Sequence, residues 1–256
     1  MPDVLFIPDQ FMDYRMWSDI PDRLRGRAET IHFDQHARIP WATANGEFLD
    51  AARRLAGAGS FDVVAAAGQA ARFGFALAEA GLAKGLVFFG ASLDGIPDGE
   101  VPPDLSGLGE ALIPYQPVAS AVVNEQDPGR QRDILLQVFR DTAESGADPA
   151  DLELAAAMLG DHSEEFFAEM RAAAAAAAGE RVQPDPPWAQ RPWIDRLADL
   201  AVPVTAVGAG FSAEAIARRA RDAEIVAAAG GGVLPAPAAG RAQAAEAILR
   251  MLDRLN

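Results

Sequence analysis

Six short runs of β-forming apolar residues, Val4–Ile7, Glu29–Phe33, Phe61–Ala65, Gly85–Phe89, Val202–Val207 and Glu224–Ala227, are spaced along the chain with helical segments between most of them. Strands separated by helices cannot pair as tight hairpins. Each crosses over to a parallel neighbour, and the crossover helices cover both faces of the sheet. The helices are expected at Met16–Leu24, Glu47–Ala56, Gln69–Ala80, Ala213–Ala223 and Ala239–Leu255. In the last, Ala244, Ile248, Met251 and Leu255 recur at three- and four-residue spacing and bury one face. The pattern predicts an α/β fold, a three-layer sandwich around a mostly parallel sheet of about six strands.

Between Phe89 and Val202 the β pattern stops, through Pro-rich stretches at Pro97–Pro103 and Pro184–Pro187 and helical segments such as Arg130–Arg140 and Glu164–Ala178. That is the shape of an inserted helical cap, residues 94–194, on a core made from residues 1–93 and 195–256. The alanine run Ala172–Ala178 reflects helix propensity and carries no functional reading.

A chain of 256 residues, half of them hydrophobic, can bury one large core. A formal net charge of -15 opposes long-range attraction to nucleic-acid phosphates or to an anionic membrane surface. No apolar run approaches the roughly 18 residues that span a bilayer, and Met1-Pro2-Asp3 lacks the basic start of a signal peptide. The expectation is a soluble cytoplasmic protein with a small-molecule ligand and neither nucleic acid nor membrane as partner; the oligomeric state is not fixed by the sequence. The absence of cysteine excludes disulfides, thiolate nucleophiles and Cys-ligated metal.

The opening Leu5-Phe6-Ile7-Pro8-Asp9-Gln10-Phe11-Met12-Asp13-Tyr14-Arg15-Met16-Trp17 resembles the strand-loop-helix entry of small bacterial α/β-hydrolases, with Asp13, Arg15 and Trp17 at typical places. Asp9 departs from that pattern, where a glycine usually follows the proline. Phe61–Val64, leading through Ala65–Gln69 into a helix and then the strand Gly85–Phe89, looks like the elbow strand, elbow, helix and next strand of the same superfamily. Leu200–Gly208 resembles its strand before the acid loop, and Gly230–Pro235 the loop that carries the histidine. The resemblance covers both ends of the chain and implies the α/β-hydrolase fold.

It also implies a Ser-His-Asp triad, which is absent at the matching positions. The elbow Gly-x-Ser-x-Gly is a strained strand-to-helix turn flanked by small residues; here it reads Ala66-Ala67-Gly68-Gln69-Ala70, with Gly68 in the place of the nucleophile. Shifting the register by one puts Gln69 there instead. No Ser, Thr or Cys lies between Phe61 and Ala91. The triad histidine should lie near the C-terminus, yet the last histidine is His162; Val233 stands in its loop and Phe211 in the loop of the acid. Conventional Ser-His-Asp catalysis is therefore not expected. What the resemblance leaves is a pair of backbone donors, the amide of Gln69 and one near Gln10, suited to a carbonyl oxygen, enolate or carboxylate.

Four residues are candidates for chemistry. Asp9 would sit beside the pocket as a general acid or base, or cap the following turn. Gln69 would point its amide at a polar substrate group or lie on the helix surface. His36 follows the second strand, at the pocket rim or in a solvent-facing loop. His162, in Gly160-Asp161-His162-Ser163-Glu164, is either a replacement base on the cap or part of a helix start capped by Ser163. The expected lining is Gln10, Phe11, Gly68, Ser92, Phe211 and Val233; Ser92 with Asp94 also reads as turn chemistry. The three histidines have no metal-ligand spacing, and Gly230–Gly232 lacks the context of a dinucleotide fingerprint, so no metal and no cofactor are expected. Trp17, Trp188 and Trp193 read as core and cap packing. Three functions fit: a repurposed enzyme of elimination, decarboxylation, isomerisation or cyclisation; a non-catalytic ligand-binding or partner protein; and a hydrolase with an atypical base.

Overall fold

The computed structural model describes residues 1–8, 13–33, 45–90, 193–208, 211–228 and 238–256, with Arg130 and Asp133. The chain divides into two compact units, Met1–Gly95 with Pro186–Asn256, and Ile96–Asp185. All elements named below belong to the first.

Six strands, β1 (Asp3–Ile7), β2 (Glu29–His32), β3 (Phe61–Ala67), β4 (Ala83–Phe89), β5 (Val204–Val207) and β6 (Ala223–Val226), form one sheet in the order β2-β1-β3-β4-β5-β6. Every neighbouring pair is parallel. The residue pattern explains the order: β3 and β4, buried on both faces, are nearly continuous apolar runs, whereas the edge strands β2 and β6 carry Glu29, His32 and Glu224.

Helices α1 (Ile20–Arg23), α2 (Asn45–Ala56), α3 (Ala71–Glu79), α4 (Phe211–Arg219) and α5 (Ala238–Leu255) cover the two faces. Phe6, Ala65, Val87 and Thr205 are successive register partners and share a face. Gly85 lies on that face, where a Cβ would come 2.8 Å from Met251 Sδ, so α5 packs there, with α1 against it. The opposite face holds Val64, Ala66 and Phe88, and a Cβ on Gly74 of α3 would meet Phe88 Cε1 at 3.0 Å and Ala66 Cβ at 3.3 Å. Both glycines let a helix approach the sheet closely. The 3-10 segment Trp193–Asp199 joins the α3 side, its Trp193 ring 5.7 Å from Phe88 and 6.0 Å from Phe75.

The helix expected at Gln69–Ala80 begins as a 3-10 turn, Gly68–Ala70, before α3, and two others differ further. Met16–Leu24 is a 3-10 turn, Tyr14–Trp17, followed by α1, with Ser18 between them at φ 48°. Pro21 is the cause. In a continuous helix its ring would strike the Trp17 carbonyl and remove a hydrogen bond, whereas in the first turn of a new helix its missing N–H costs nothing. The helix expected at Ala213–Ala223 runs from Phe211 to Arg219, and Ala223 opens β6 instead.

From β1 the chain moves outward to β2, then returns to the other side of β1 as β3 and proceeds toward β6. The α1 connection lies on the α5 face and the α3 connection on the other. Connections that diverge to opposite faces open a crevice beyond the carboxyl ends of β1 and β3, the place where such folds bind ligands. The loop after Pro8 and the turn at Gly68 both start there.

Candidate functional site

The turn after β3 is the best-defined part of this crevice. Ala67 ends the strand in extended conformation, φ -110° and ψ 145°; Gly68 takes φ 53° and opens a 3-10 turn, Gly68–Ala70, that runs directly into α3. The amide of Ala71 closes the turn on the Gly68 carbonyl. A left-handed backbone angle pushes a Cβ toward the carbonyl oxygen, so glycine fills this position without strain. Ala66, Ala67, Gly68, Ala70 and Ala71 are all buried, and the small side chains on either side allow strand and helix to meet at a sharp angle. The Gln69 amide stands at the start of the helical segment, where backbone N–H groups favour an oxygen with negative character.

The neighbouring strands also end at glycines with positive φ, Gly90 at 49° after β4 and Gly208 at 137° after β5. The amide of Gly90 donates to the Val207 carbonyl and that of Gly208 to the Val226 carbonyl, so the ladder extends one step past each strand. Phe211 is the first residue of α4. Of the residues singled out in the sequence, Gly68, the Gln69 backbone and the Phe211 backbone are described; Asp9, Gln10, Phe11, His36, Ser92, His162 and Val233 lie outside the described residues. Among the described residues no group of three or more His, Asp or Glu side chains is arranged to hold a metal ion.

Asp13 and Arg15 hold the entrance to α1. Asp13 is 6% exposed, and its Oδ1 accepts from the Arg15 amide at 2.8 Å while Arg15 Nε reaches both carboxylate oxygens at 3.0 and 2.8 Å. This caps the Tyr14–Trp17 turn and satisfies a buried charge.

No local motif announces the aromatic strip on the α5 face of the sheet. Tyr14 meets His32 edge-on at 5.8 Å, His32 stacks on Phe6 at 5.4 Å, Phe6 meets Trp17 at 4.9 Å, and Trp17 meets Phe89 at 5.2 Å. Trp17 spans the gap between Phe6 on β1 and Phe89 on β4 because, at this end of the sheet, the intervening strand β3 presents the small Ala65 and Ala67 on this face. Burial lowers the pKa of His32, favouring the neutral ring. Cross-strand register assembles these rings; the one cue in the sequence is a histidine at an alternating position of a strand.

No protein-family model and no curated protein matches the chain. Solved structures do. A thermophilic esterase from Thermogutta terrifontis with malate bound superposes with a TM-score of 0.64 and 22% identity, over 100% of this chain and 90% of the esterase. MenH from S. aureus gives a TM-score of 0.67 at 12% identity, over 99% of this chain and 94% of the other. The enol-lactonase from Burkholderia xenovorans LB400 gives 0.62 at 12% identity, over 99% and 90% of the two chains. Sequence identity this low shows fold and nothing finer. With the six-stranded parallel sheet, the switch at β1 and the strand-to-helix turn at Gly68, it establishes that the chain has the α/β-hydrolase fold.

Proposed function

We propose that the protein is a non-hydrolytic enzyme acting on a small acyl or carbonyl compound, with the Gln69 amide holding the substrate oxygen at a turn that offers no nucleophile. The observation that carries this reading is Gly68: the turn keeps its left-handed angle of 53°, its small flanking residues and its burial, yet has no atom able to attack a carbonyl. Fixed donors at such an oxygen lower the energy of an enolate without any acyl-enzyme. A second donor near Gln10 and the Gln69 side chain would complete the polar contacts, with Phe11, Ser92, Phe211 and Val233 around the apolar part.

In this reading a base, Asp9 or alternatively His36 or His162, takes the proton from the carbon next to the carbonyl. The C–H electron pair enters the enolate, whose oxygen the Gln69 amide holds. Returning the proton at another carbon gives isomerisation; expelling a β-substituent with the electron pair gives elimination. Decarboxylation and cyclisation pass through the same electron-rich oxygen. Included in this reading are a helical cap insertion at residues 94–194 in a core of residues 1–93 and 195–256, and the cytoplasm as the proposed location.

Two other readings compete. The esterase and the enol-lactonase among the structural neighbours favour a hydrolase with an atypical base. A turn with backbone donors alone favours a binding protein. One experiment separates the three: a thermal-shift screen of esters, lactones, hydroxy acids and ketones, with each hit incubated and its product identified by mass spectrometry and NMR. We expect a hit converted without net uptake of water, and conversion lost in Asp9→Ala. A product that has gained water supports the hydrolase, and a hit recovered unchanged supports the binding protein; either result overturns the proposal.

A further inference from the structure

The amides of Val204 and Gly208 donate to the carbonyls of Asp222 and Val226, at the two ends of β6. Backbone groups alternate in direction along a strand, so Asp222, Glu224 and Val226 aim their N–H and C=O groups at β5. Ala223 and Ile225 aim theirs the other way, with Ala227 next in the alternation. Among the described residues no strand pairs with that outer side. Solvent reaches it: Ile225 is 45% exposed, and Ala227 is exposed as well. Sheet edges are commonly guarded by lysine, proline or a bulge. Residues 223–227 contain no lysine or proline, and β6 keeps an unbroken register with β5. The charge of Glu224 is already held by Arg250 of α5 at 2.9 Å.

We propose that the outer side of β6 is a dimer interface, where a second copy of this chain adds its own β6 antiparallel and continues the sheet across a two-fold axis at Ile225. Hydrogen bonding and charge select this register. Outward groups must meet outward groups, so Ala223, Ile225 and Ala227 of one copy face the same set in the other. An axis at Ala223 sets Asp222 against Glu224, and an axis at Glu224 sets that carboxylate against its own copy. Like charges directly opposite destabilise a strand pair. An axis at Ile225 avoids both: Glu224 then lies opposite Val226, and Ala223 opposite Ala227. It also lays the two Ile225 side chains against each other, on the face of the sheet where α4 packs. Moving the axis on to Val226 sets Ile225 against Ala227 and covers less apolar surface. On the α5 face the two Glu224 side chains stand diagonal to each other, about 7–8 Å apart, a span that the long Arg250 side chain covers. The paired edge is short, so the dimer is weak, with a Kd on the order of 100 µM. It does not involve the Gly68 turn and stands apart from the enolate chemistry proposed above.

Sedimentation equilibrium of the full chain up to about 1 mM tests the association. We expect a reversible monomer–dimer equilibrium. Ile225→Asp and Ile225→Lys each place like charges on the axis and should dimerise at least about tenfold more weakly. Mixed in equal amounts they should recover a heterodimer, because only a residue that faces its own copy is rescued by the opposite charge. Ile225 is exposed, so both variants should melt close to the wild-type temperature. The register is tested by cross-linking. The chain has no cysteine, and directly opposite Cα atoms at hydrogen-bonded positions lie about 5.5 Å apart, within the span of a disulfide. Ile225→Cys should therefore oxidise to a covalent dimer. Ala223→Cys should not do so alone, and should cross-link when mixed with Ala227→Cys. A wild-type chain that stays monomeric at the highest concentration overturns the proposal, as does an Asp–Lys mixture no more dimeric than either variant. Ala223→Cys cross-linking to itself as readily as Ile225→Cys overturns the axis at Ile225.

Discussion

Replacing Gly68 by alanine tests the elbow directly. At φ 53° the residue is in the left-handed region, which costs an L-residue roughly 1–2 kcal/mol. Against this, alanine removes unfolded-state freedom worth about 0.4–1 kcal/mol. The expected net loss is about 1 kcal/mol, which for a domain of this size lowers Tm by about 2–4 °C. Gly81 provides the calibration: its φ is 73°, and an added Cβ would meet nothing within 4 Å. Gly81→Ala should therefore report the backbone term alone and lose a similar amount. Gly68→Asn should lose less than Gly68→Ala, because asparagine tolerates this region. Guanidinium melts with calorimetric Tm on the three variants decide the matter. If Gly68→Ala matches or exceeds wild-type stability while Gly81→Ala shows its loss, Gly68 does not hold a left-handed angle and the elbow reasoning collapses.

Other expectations concern packing, caps and protons. Gly85→Ala should cost about 1–3 kcal/mol, because its Cβ would lie 2.8 Å from Met251 Sδ and 3.2 Å from Leu255 Cδ1; a double-mutant cycle with Met251→Ala should recover part of the loss, and simple additivity would place the clash elsewhere. Asp13→Ala should cost about 1–2 kcal/mol by urea melt, and Asp13→Asn clearly less, since the amide oxygen can still cap Arg15 N; equal losses would assign the effect to the ion pair instead. The His32 pKa lies below its ordinary 6.5 when folded. Between the folded and unfolded values the unfolded chain binds more protons, so this contribution is intact above about pH 6.5 and declines as pH falls toward the folded pKa. Melts at pH 7.5 and 5.0 should show His32→Phe losing less stability on acidification than wild type; an unchanged difference would mean His32 titrates freely. Gly68→Ser should release no product from p-nitrophenyl acetate above the solvent rate, because a serine without a paired base stays protonated; a burst of p-nitrophenol would reveal a base close to the elbow.

How much of the fold and site is legible in the sequence depends on whether the cause is local. The strands are legible because burial on both faces leaves runs such as Val63–Ala67 and Leu86–Phe89 almost without polar residues. Gly68 stands out because a sharp strand-to-helix junction between small residues needs a positive φ, which glycine alone takes at no steric cost. The break at Ser18 is hidden because the apolar spacing of Met16–Leu24 outweighs Pro21, although the proline signal is present. The α3 boundary shifts because its first turn is 3-10, a difference of hydrogen-bond reach that side-chain pattern does not encode. His32 escapes for a different reason: its significance arises from lying opposite Phe6 in the β1–β2 register and beside Tyr14 from the turn before α1, pairings that exist only once the sheet is assembled.

The strand order also governs how this molecule must be made. β4 pairs with β5, yet Val204 follows Phe89 only after a long stretch of chain. At ribosomal rates of about 5–20 residues per second, that stretch takes on the order of 5–25 s to synthesise. Until β5 has emerged, the apolar segment Ala83–Phe89 can pair only on its β3 side. Closing so long a loop is entropically slow even after the partner emerges. A half-built sheet with one bare edge invites pairing with another nascent chain. Protection of the β4 edge in this protein therefore waits until the last third of its fold-building strands, β5 and β6, has been made.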